Sequence, residues 1–488
     1  MEERPNIILI VIDSLRADHC SCYGYGGRTT PVMDQIAREG VLFEEAIAAA
    51  GWTFPSHASI FTGLYPTEHG ADADGSVLGT QFPTMAGVLA EAGYATVAFS
   101  ENPVALGHGL DRGFQEVVDS WHVPPKDLRE IAKKLLGDKL FNKVRQIRKE
   151  LYARRLGGSK LHWGPKTVSD ATSWVGKLKQ ERRSVPFFLF ANFCDVHIPY
   201  VPPMNVTRRI LSSLTTTREG MRALWNMNCS CTMEALGLSE NELDILRRLY
   251  DGEITFTDSQ LGVLIERLGN LGVLENSLLI VTADHGDHQG DHGLIGHGLS
   301  LYDSLLRVPL VMRFPGLLKQ GQVYSQPVQT PDIFHTVLDA AGLMSKVTQV
   351  GSANRSLLGQ TPDRRKDGSA RATFAESYRN SRYLAIIRKQ HPEVDLSRIN
   401  MHQRCVRMGG YKYIKSHDMS EQFYDLGKDP SENQNLAAQR PPKMAELRYT
   451  LDTWHSRLIP AEVPADGHLG DDTPEEVRQR LESLGYLA

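Results

Sequence analysis

The chain has 488 residues and a formal net charge of -4. That length exceeds one average domain and suits a large α/β core with a smaller companion. An ordinary hydrophobic share of 41% and the near-neutral charge exclude a disordered chain and a protein that coats nucleic acid. The first apolar run, from Asn6 to Ile12, is too short for a bilayer span or for the core of an export signal, and no later run approaches membrane length. The six cysteines (20, 22, 194, 229, 231 and 405) form neither a CxxC nor a zinc knuckle. Free thiols and a cytoplasmic location are therefore expected.

The β-branched run at 5–12 reads as a strand buried on both faces, ending at Asp13. Thr30-Pro31 opens a helix through about Glu39, with Gly40 as its stop, and Val41-Leu-Phe begins a short strand. In Gly51-Trp-Thr-Phe-Pro-Ser-His57 a hydroxyl precedes a proline suited to a first helical turn. Thr53 is thus expected just ahead of a helix N-terminus, where free N–H groups favour an oxyanion. The plainer reading of the same residues is a capped surface helix. A helix follows at 84–93, then a strand at 94–100 ending beside Asn102.

Residues 126–166 carry thirteen Lys or Arg against four acids, with apolar residues at helical spacing. They read as a pair of basic amphipathic helices inserted in the main domain. Such an insertion is a solvated cationic face or, more sharply, a contact for an anionic membrane surface; sequence-specific nucleic-acid binding is not expected. A helix is expected at 168–181, a strand at 186–193, a loop or lid at 204–240 and a long helix from about Ser239 to Leu268. Strand 277–282 runs into Asp284-His285, another strand follows at 309–313, and Thr330-Pro-Asp opens a helix ending at Gly342. The expected catalytic domain is 1–371. From 372 to 488 shorter segments (383–387, 405–408, 411–414, 422–426) read as a small antiparallel-sheet α+β domain, with helices after 440 and a tail helix at 474–484.

Several of these strands deliver polar residues at their carboxyl ends: Asp13, Asn102, Asp195 with His197, and Asp284, His285 and Asp287. Open α/β sheets bind ligands in that crevice. Each residue alone has a plain explanation as a turn former or a hydrogen-bonded structural histidine. Together they point to a metal-assisted site, with Asp13, Asp284, His285 and the Thr53 hydroxyl as ligands. One divalent ion is expected, zinc or manganese before calcium, which prefers oxygen alone. The ion would lower the threonine pKa and make it a nucleophile. Asp195, His197 and His297 offer a second metal site as an alternative.

The chain resembles the sulfatase-type branch of the alkaline phosphatase superfamily. The resemblance is carried by residues 6–18, Thr30-Pro-Val-Met-Asp34, Pro55 through Pro66, Asp195-Val-His-Ile-Pro-Tyr200, Asp284 through Gly293, Leu301 through Leu310, and Tyr424 through Leu436. It implies a mixed, mostly parallel sheet sandwiched by helices and an anionic ester substrate, small or lipid-like. The departures bear on chemistry. Where sulfatases carry the Cys-x-Pro-x-Arg that yields formylglycine, this chain has Thr53-Phe-Pro55-Ser-His57, so no formylglycine can form. A threonine there resembles the superfamily's phosphodiesterases and phosphoethanolamine transferases. Asp13-Ser14 replaces the paired Asp-Asp, and His297 replaces a common lysine.

The resemblance implies in-line attack by Thr53 on phosphorus or sulfur and a covalent threonyl intermediate, released to water or to an acceptor alcohol. His197 or His297 would protonate the leaving oxygen, and His57 would touch the transferred group or orient Thr53. Asn102 and Asp195 would serve substrate binding. The competing expectation is a catalytically silent sulfatase-like protein that binds an anionic ligand or partner.

Overall fold

The apolar run near the N-terminus forms the central strand of an eight-stranded sheet in the computed structural model. The structure describes residues 4–71, 77–121, 162–181, 185–203, 205–207, 231–232, 237–298, 300–346, 355–358, 371–378, 381–390, 392, 396–397, 399 and 401–461. Most of the basic stretch at 126–166, most of the expected lid at 204–240 and the tail helix at 474–484 lie outside these residues. The described end of the basic stretch, 162–166, leads into and begins the helix Gly164–Glu181.

Across the sheet the strands run Gln322–Tyr324, Val41–Phe43, Leu310–Arg313, Ser277–Thr282, Asn6–Ile12, Phe187–Phe193, Ala95–Ser100 and Glu116–Asp119. All neighbours are parallel except Leu310–Arg313, which is antiparallel to both of its partners. The sheet is therefore mixed and mostly parallel, with helices packed on it, as expected. Ile7 to Ile12 are buried to within 2% exposure, which is why their sequence does not alternate. Register sets up the site. Val11 pairs with Thr282, Ile12 with Phe193 and Ser100 with Asn192. The residues that follow these strands therefore emerge at one edge of the sheet.

Local signals explain most boundaries. Ser239 caps the Glu240–Asn270 helix and forms a capping box with Glu242. Gly40 follows the Pro31–Glu39 helix as expected, but its φ is -141° and not left-handed. Glycine is required there because a β-carbon would lie 2.1 Å from the Met312 carbonyl oxygen of the neighbouring strand. One expected element is wrong: Tyr383-Leu-Ala-Ile-Ile lies in a helix, Ser381–Gln390, and not in a strand. Among the residues of this helix whose side chains are described, Leu384 and Ile387, three apart, are buried while Ala385 is exposed, a helical period hidden in a short apolar run.

The C-terminal sheet is antiparallel in the order Thr373–Ser377, Gln403–Met408, Tyr411–Ser416, Glu421–Asp425. Ala375, Cys405 and Ile414 on one side join the main apolar core, while Val406, Tyr413 and Phe423 on the other pack with the Pro442–His455 helix. No helix of the described residues is long and apolar enough to cross a membrane.

Candidate active site

Thr53 sits one residue further into its helix than expected. Trp52, extended at φ -145° and ψ 144°, is the N-cap, and Thr53 is the first helical residue of Thr53–Thr62. All ten residues of that helix are buried, which rules out the capped surface helix. Thr53 Oγ1 lies 3.1 Å from His285 Nε2. The His285 Nδ1 is 2.8 Å from the Gly286 carbonyl, so it carries the ring proton and leaves the Nε2 lone pair facing the threonine.

Asp13, Asp284 and His285 each offer a ligand atom, and these atoms lie within 4.8 Å of one another. His285 Nε2 is 3.4 Å from Asp284 Oδ2 and 3.9 Å from Asp13 Oδ1, and all three side chains are fully buried. Among the described residues this is the one group of three or more acid, imidazole or thiol side chains so placed, and Asp195, His197 and His297 do not form a second.

The charges of this group are unbalanced. Burial pushes the Asp284 carboxyl well above its usual range, and the negative charge of Asp13 adds to the effect. Burial acts on Asp13 too, but the imidazoles of His197 and His285 and the Asn102 amide outweigh it and hold Asp13 low. Asp284 Oδ2 has no hydrogen-bond partner. Two buried carboxyl groups, an orphaned oxygen and an imidazole lone pair turned toward them fit a divalent cation, and the mixed N/O donor set suits a transition metal.

Ser14, the substitute for a second aspartate, has a specific place. Its φ of 63° is left-handed, uncommon for a residue with a β-carbon. In that conformation its N–H reaches Asp284 Oδ1 at 3.2 Å, and its hydroxyl reaches Asp13 Oδ1 at 3.0 Å. Ser14 thus ties the two carboxylates together without being a ligand itself.

Asn102 and Asp195, the expected substrate contacts, are both buried. Asn102 donates to Asp13 Oδ2 at 2.8 Å and accepts from the Val104 N–H at 3.0 Å, so it braces Asp13 and caps a short helix. Asp195 is buried with one oxygen 3.2 Å from where a β-carbon on Gly164 would stand. That places it at the start of the Gly164–Glu181 helix. His57 lies behind Thr53. Its Nδ1 donates to the Thr53 carbonyl at 2.9 Å and is 3.5 Å from Asp284 Oδ2, and its ring meets Phe61 and Phe190 edge-on. Burial pushes it down to about 4, against the pull of Asp13. It is a neutral brace behind the turn that carries Thr53.

His197 and His297 do come together, with ring centroids 4.7 Å apart, and His297 lies 4.5 Å from His285. Burial holds His197 down at about 3 and His297 well below the usual histidine value. His297 is positioned by its neighbour: Gly298, at φ 78°, donates to the Gly51 carbonyl at 2.9 Å. A β-carbon on Gly298 would stand 2.0 Å from the Trp52 ring. Sequence reasoning missed Tyr200, whose hydroxyl bonds Asp287, and Ser56, whose hydroxyl bonds the Asp284 carbonyl at 2.6 Å. Both lie inside motifs already singled out, and their proximity to the site was the available signal.

A carboxylate–imidazole group at the strand ends of a mostly parallel sheet, facing a hydroxyl on a buried helix, defines an α/β ester hydrolase of the alkaline phosphatase-like type. Residues 5–343 match the Sulfatase family model, and residues 290–458 match the model for the C-terminal part of N-sulphoglucosamine sulphohydrolase. The chain belongs to the sulfatase family. It is 26% identical to an arylsulfatase of Clostridium perfringens, covering 89% of this chain and 90% of that one. It is also 26% identical to an N-acetylgalactosamine-6-O-sulfatase of Bacteroides thetaiotaomicron, covering 93% and 94%. Among solved structures, the phosphonate monoester hydrolase of Agrobacterium radiobacter superposes with a TM-score of 0.68 at 22% identity, over 93% of this chain and 96% of that chain. A 2-O GAG sulfatase gives 0.69 at 20%, over 95% of each.

Proposed function

We propose that this chain is a metal-dependent hydrolase of phosphate or sulfate esters in which Thr53 is the nucleophile. The observation that carries the reading is Thr53 Oγ1, 3.1 Å from His285 Nε2 and next to the buried Asp13–Asp284 pair. A divalent ion bound by Asp13, Asp284, His285 and Thr53 would lower the hydroxyl pKa and offset the charge of the ester. Thr53 Oγ1 would attack phosphorus or sulfur in line and form a threonyl ester; its hydroxyl proton, taken up by His297 or His197, would pass to the leaving oxygen as that oxygen's bond to phosphorus or sulfur breaks. Water then cleaves the threonyl ester; an acceptor alcohol in its place would make the reaction a transfer. Threonine has no thiol to convert to formylglycine, so the nucleophile is the encoded side chain. Its place at a helix N-terminus favours the negative charge that builds there.

The test is one purified preparation with its metal content measured, assayed on aryl sulfate, aryl phosphate, a phosphodiester and an aryl phosphonate. About one transition-metal ion per chain is expected, with turnover of at least one ester. Thr53→Ala should lower turnover by about 10⁴-fold or more, as loss of a nucleophile does. Full activity in that variant would refute the assignment.

A further inference from the structure

Three imidazoles outside the group described above line one pocket on the C-terminal sheet. The pocket has a volume of about 150 Å³, and His402, His417 and His455 share it with Arg404, Lys415 and Asp452. Strand register sets two of the three opposite each other. The ladder pairs Met408 with Tyr411 and runs back to Gln403 with Ser416. One step further, the His417 N–H donates to the His402 carbonyl at 2.9 Å. His402 and His417 are therefore cross-strand partners with side chains on one face. Both are exposed, and their ring centroids lie 6.1 Å apart.

By alternation this is the face of Val406 and Tyr413, on which the Pro442–His455 helix packs. His455 is the last residue of that helix and brings a third ring to the same pocket. Lys415 and Asp452, 2.8 Å apart, tie the strand to the helix beside it. The surrounding charges decide what kind of ligand fits. Arg404 pairs with Glu376 at 3.3 Å and Lys415 with Asp452, and Asp418, next to His417, adds another acid. Two cations thus stand against three carboxylates, which gives an anion no advantage. Imidazole lone pairs suit zinc, copper or nickel. Two imidazoles on one zinc, with Zn–N of about 2.0–2.1 Å, hold their centroids roughly 5–6 Å apart. Small rotations of two exposed side chains bring the observed pair to that spacing.

We propose that His402, His417 and His455 form a transition-metal site that is separate from the strand-end group and takes no part in the ester chemistry. The cross-strand pair is the chelate, and His455 turns into the pocket to complete it. The ion would fasten the end of the helix to the hairpin, beside the Lys415–Asp452 pair.

The test is equilibrium dialysis of the full-length protein against micromolar zinc, followed by metal analysis. Wild type should hold one more zinc per chain than His402→Asn or His417→Asn. That difference counts this ion alone, whatever the strand-end group holds. Either substitution should weaken the ion about 100-fold or more, because the second imidazole of a chelate binds at a high effective concentration. His455→Asn should weaken it less, and turnover should stay at the wild-type value in all three variants. Equal zinc content in wild type and both strand variants overturns the proposal. So does an ion held as tightly in His455→Asn as in wild type, since the helix would then supply no ligand. A zinc-dependent dimer in sedimentation velocity, with one ion per two chains, overturns it as well, because the ligands would then come from two copies. If a variant does not fold, the wild type carries the test through mapped modification by diethyl pyrocarbonate. Zinc should protect His402, His417 and His455 together, and unchanged modification of these three overturns the site.

Discussion

Two groups of charged side chains are buried in this molecule, and they resolve the same electrostatic problem in opposite ways. At the junction with the C-terminal sheet, Lys412 is fully buried, with Nζ 2.7 Å from Asp303 and 2.8 Å from Glu432. Arg407 adds a second cation, 3.3 Å from Asp303 and 3.0 Å from Glu45. Here the chain supplies its own positive charge, and Asp303 is held down at about 2 even though burial alone would raise it. At the strand ends, Asp13 and Asp284 are just as buried, but among the described residues their ion-pair contacts are the imidazoles of His57 and His285, with no lysine or arginine. An isolated buried carboxylate is costly by several kcal/mol, so such a pair is stable when ionised only if a cation comes from outside. The contrast separates a structural clasp from a binding site.

The sharpest way to break that contrast is to remove one acid from the site. Asp284→Ala should abolish stoichiometric metal and lower turnover by about 10³-fold or more, at the scale of removing a principal electrostatic stabiliser. Its metal-free melting temperature should lie close to that of metal-free wild type, because relief of the repulsion with Asp13 offsets the loss of the Ser14 and His285 N–H bonds to Asp284 Oδ1. Chelation should lower the melting temperature of wild type and leave the variant unmoved; a ligand at 100 times its Kd contributes about 2.7 kcal/mol. A variant that melts well below the metal-free wild type would mean that Asp284 is structural, like Asp303.

The clasp should respond the other way. Lys412→Met leaves Asp303 and Glu432 buried beside one remaining cation, and should cost about 3–5 kcal/mol of stability by denaturant titration. Its metal content should be unchanged, and its turnover per folded molecule should be near that of wild type. Loss of metal without loss of stability would erase the distinction between the two groups.

What the sequence revealed follows the range of the forces involved. The strand at 277–282 was legible over the same residues because β-branched runs bounded by turn formers are a local signal. Asp13, Thr53, Asp284 and His285 were legible as one group because strand ends converge in any sheet of this type. The requirement for glycine at position 40 was not, since it depends on the carbonyl of Met312, far away in the chain. Nor was the employment of Asn102 by Asp13, or of His297 by Asp287, because hydrogen-bond partners are chosen by tertiary packing. Ser14 is the instructive case. Its residue type suggested a lost ligand, and only its left-handed backbone shows that it links the two acids.

The smallest effect concerns pH, where Asp303 of the clasp and the buried histidines should respond in different windows. His69 is buried, accepts the Ala71 N–H at Nδ1 (3.0 Å) and meets the Ser59 hydroxyl at Nε2 (3.0 Å), an arrangement only the neutral ring allows. Burial pushes it down to about 3, and does the same to His288 between Ser300 and Ser304. Because both folded pKa values lie below the unfolded value near 6.5, the unfolded chain binds more protons in this range. Stability is therefore complete above about pH 6.5 and falls on acidification, by up to about 1.4 kcal/mol per pH unit for each histidine, until the folded pKa is reached. Asp303 is also depressed, but from 3.8 to about 2, so its contribution persists above about pH 4 and is lost only as pH falls through 2. Denaturant titrations between pH 7 and 4.5 should show the histidine slope less the opposite contributions of Asp258, Asp287 and Glu432, which burial raises to about 6, 7 and 7. His69→Asn should flatten it by about 1.4 kcal/mol per pH unit, and an unchanged slope would mean that His69 is not held neutral in the fold.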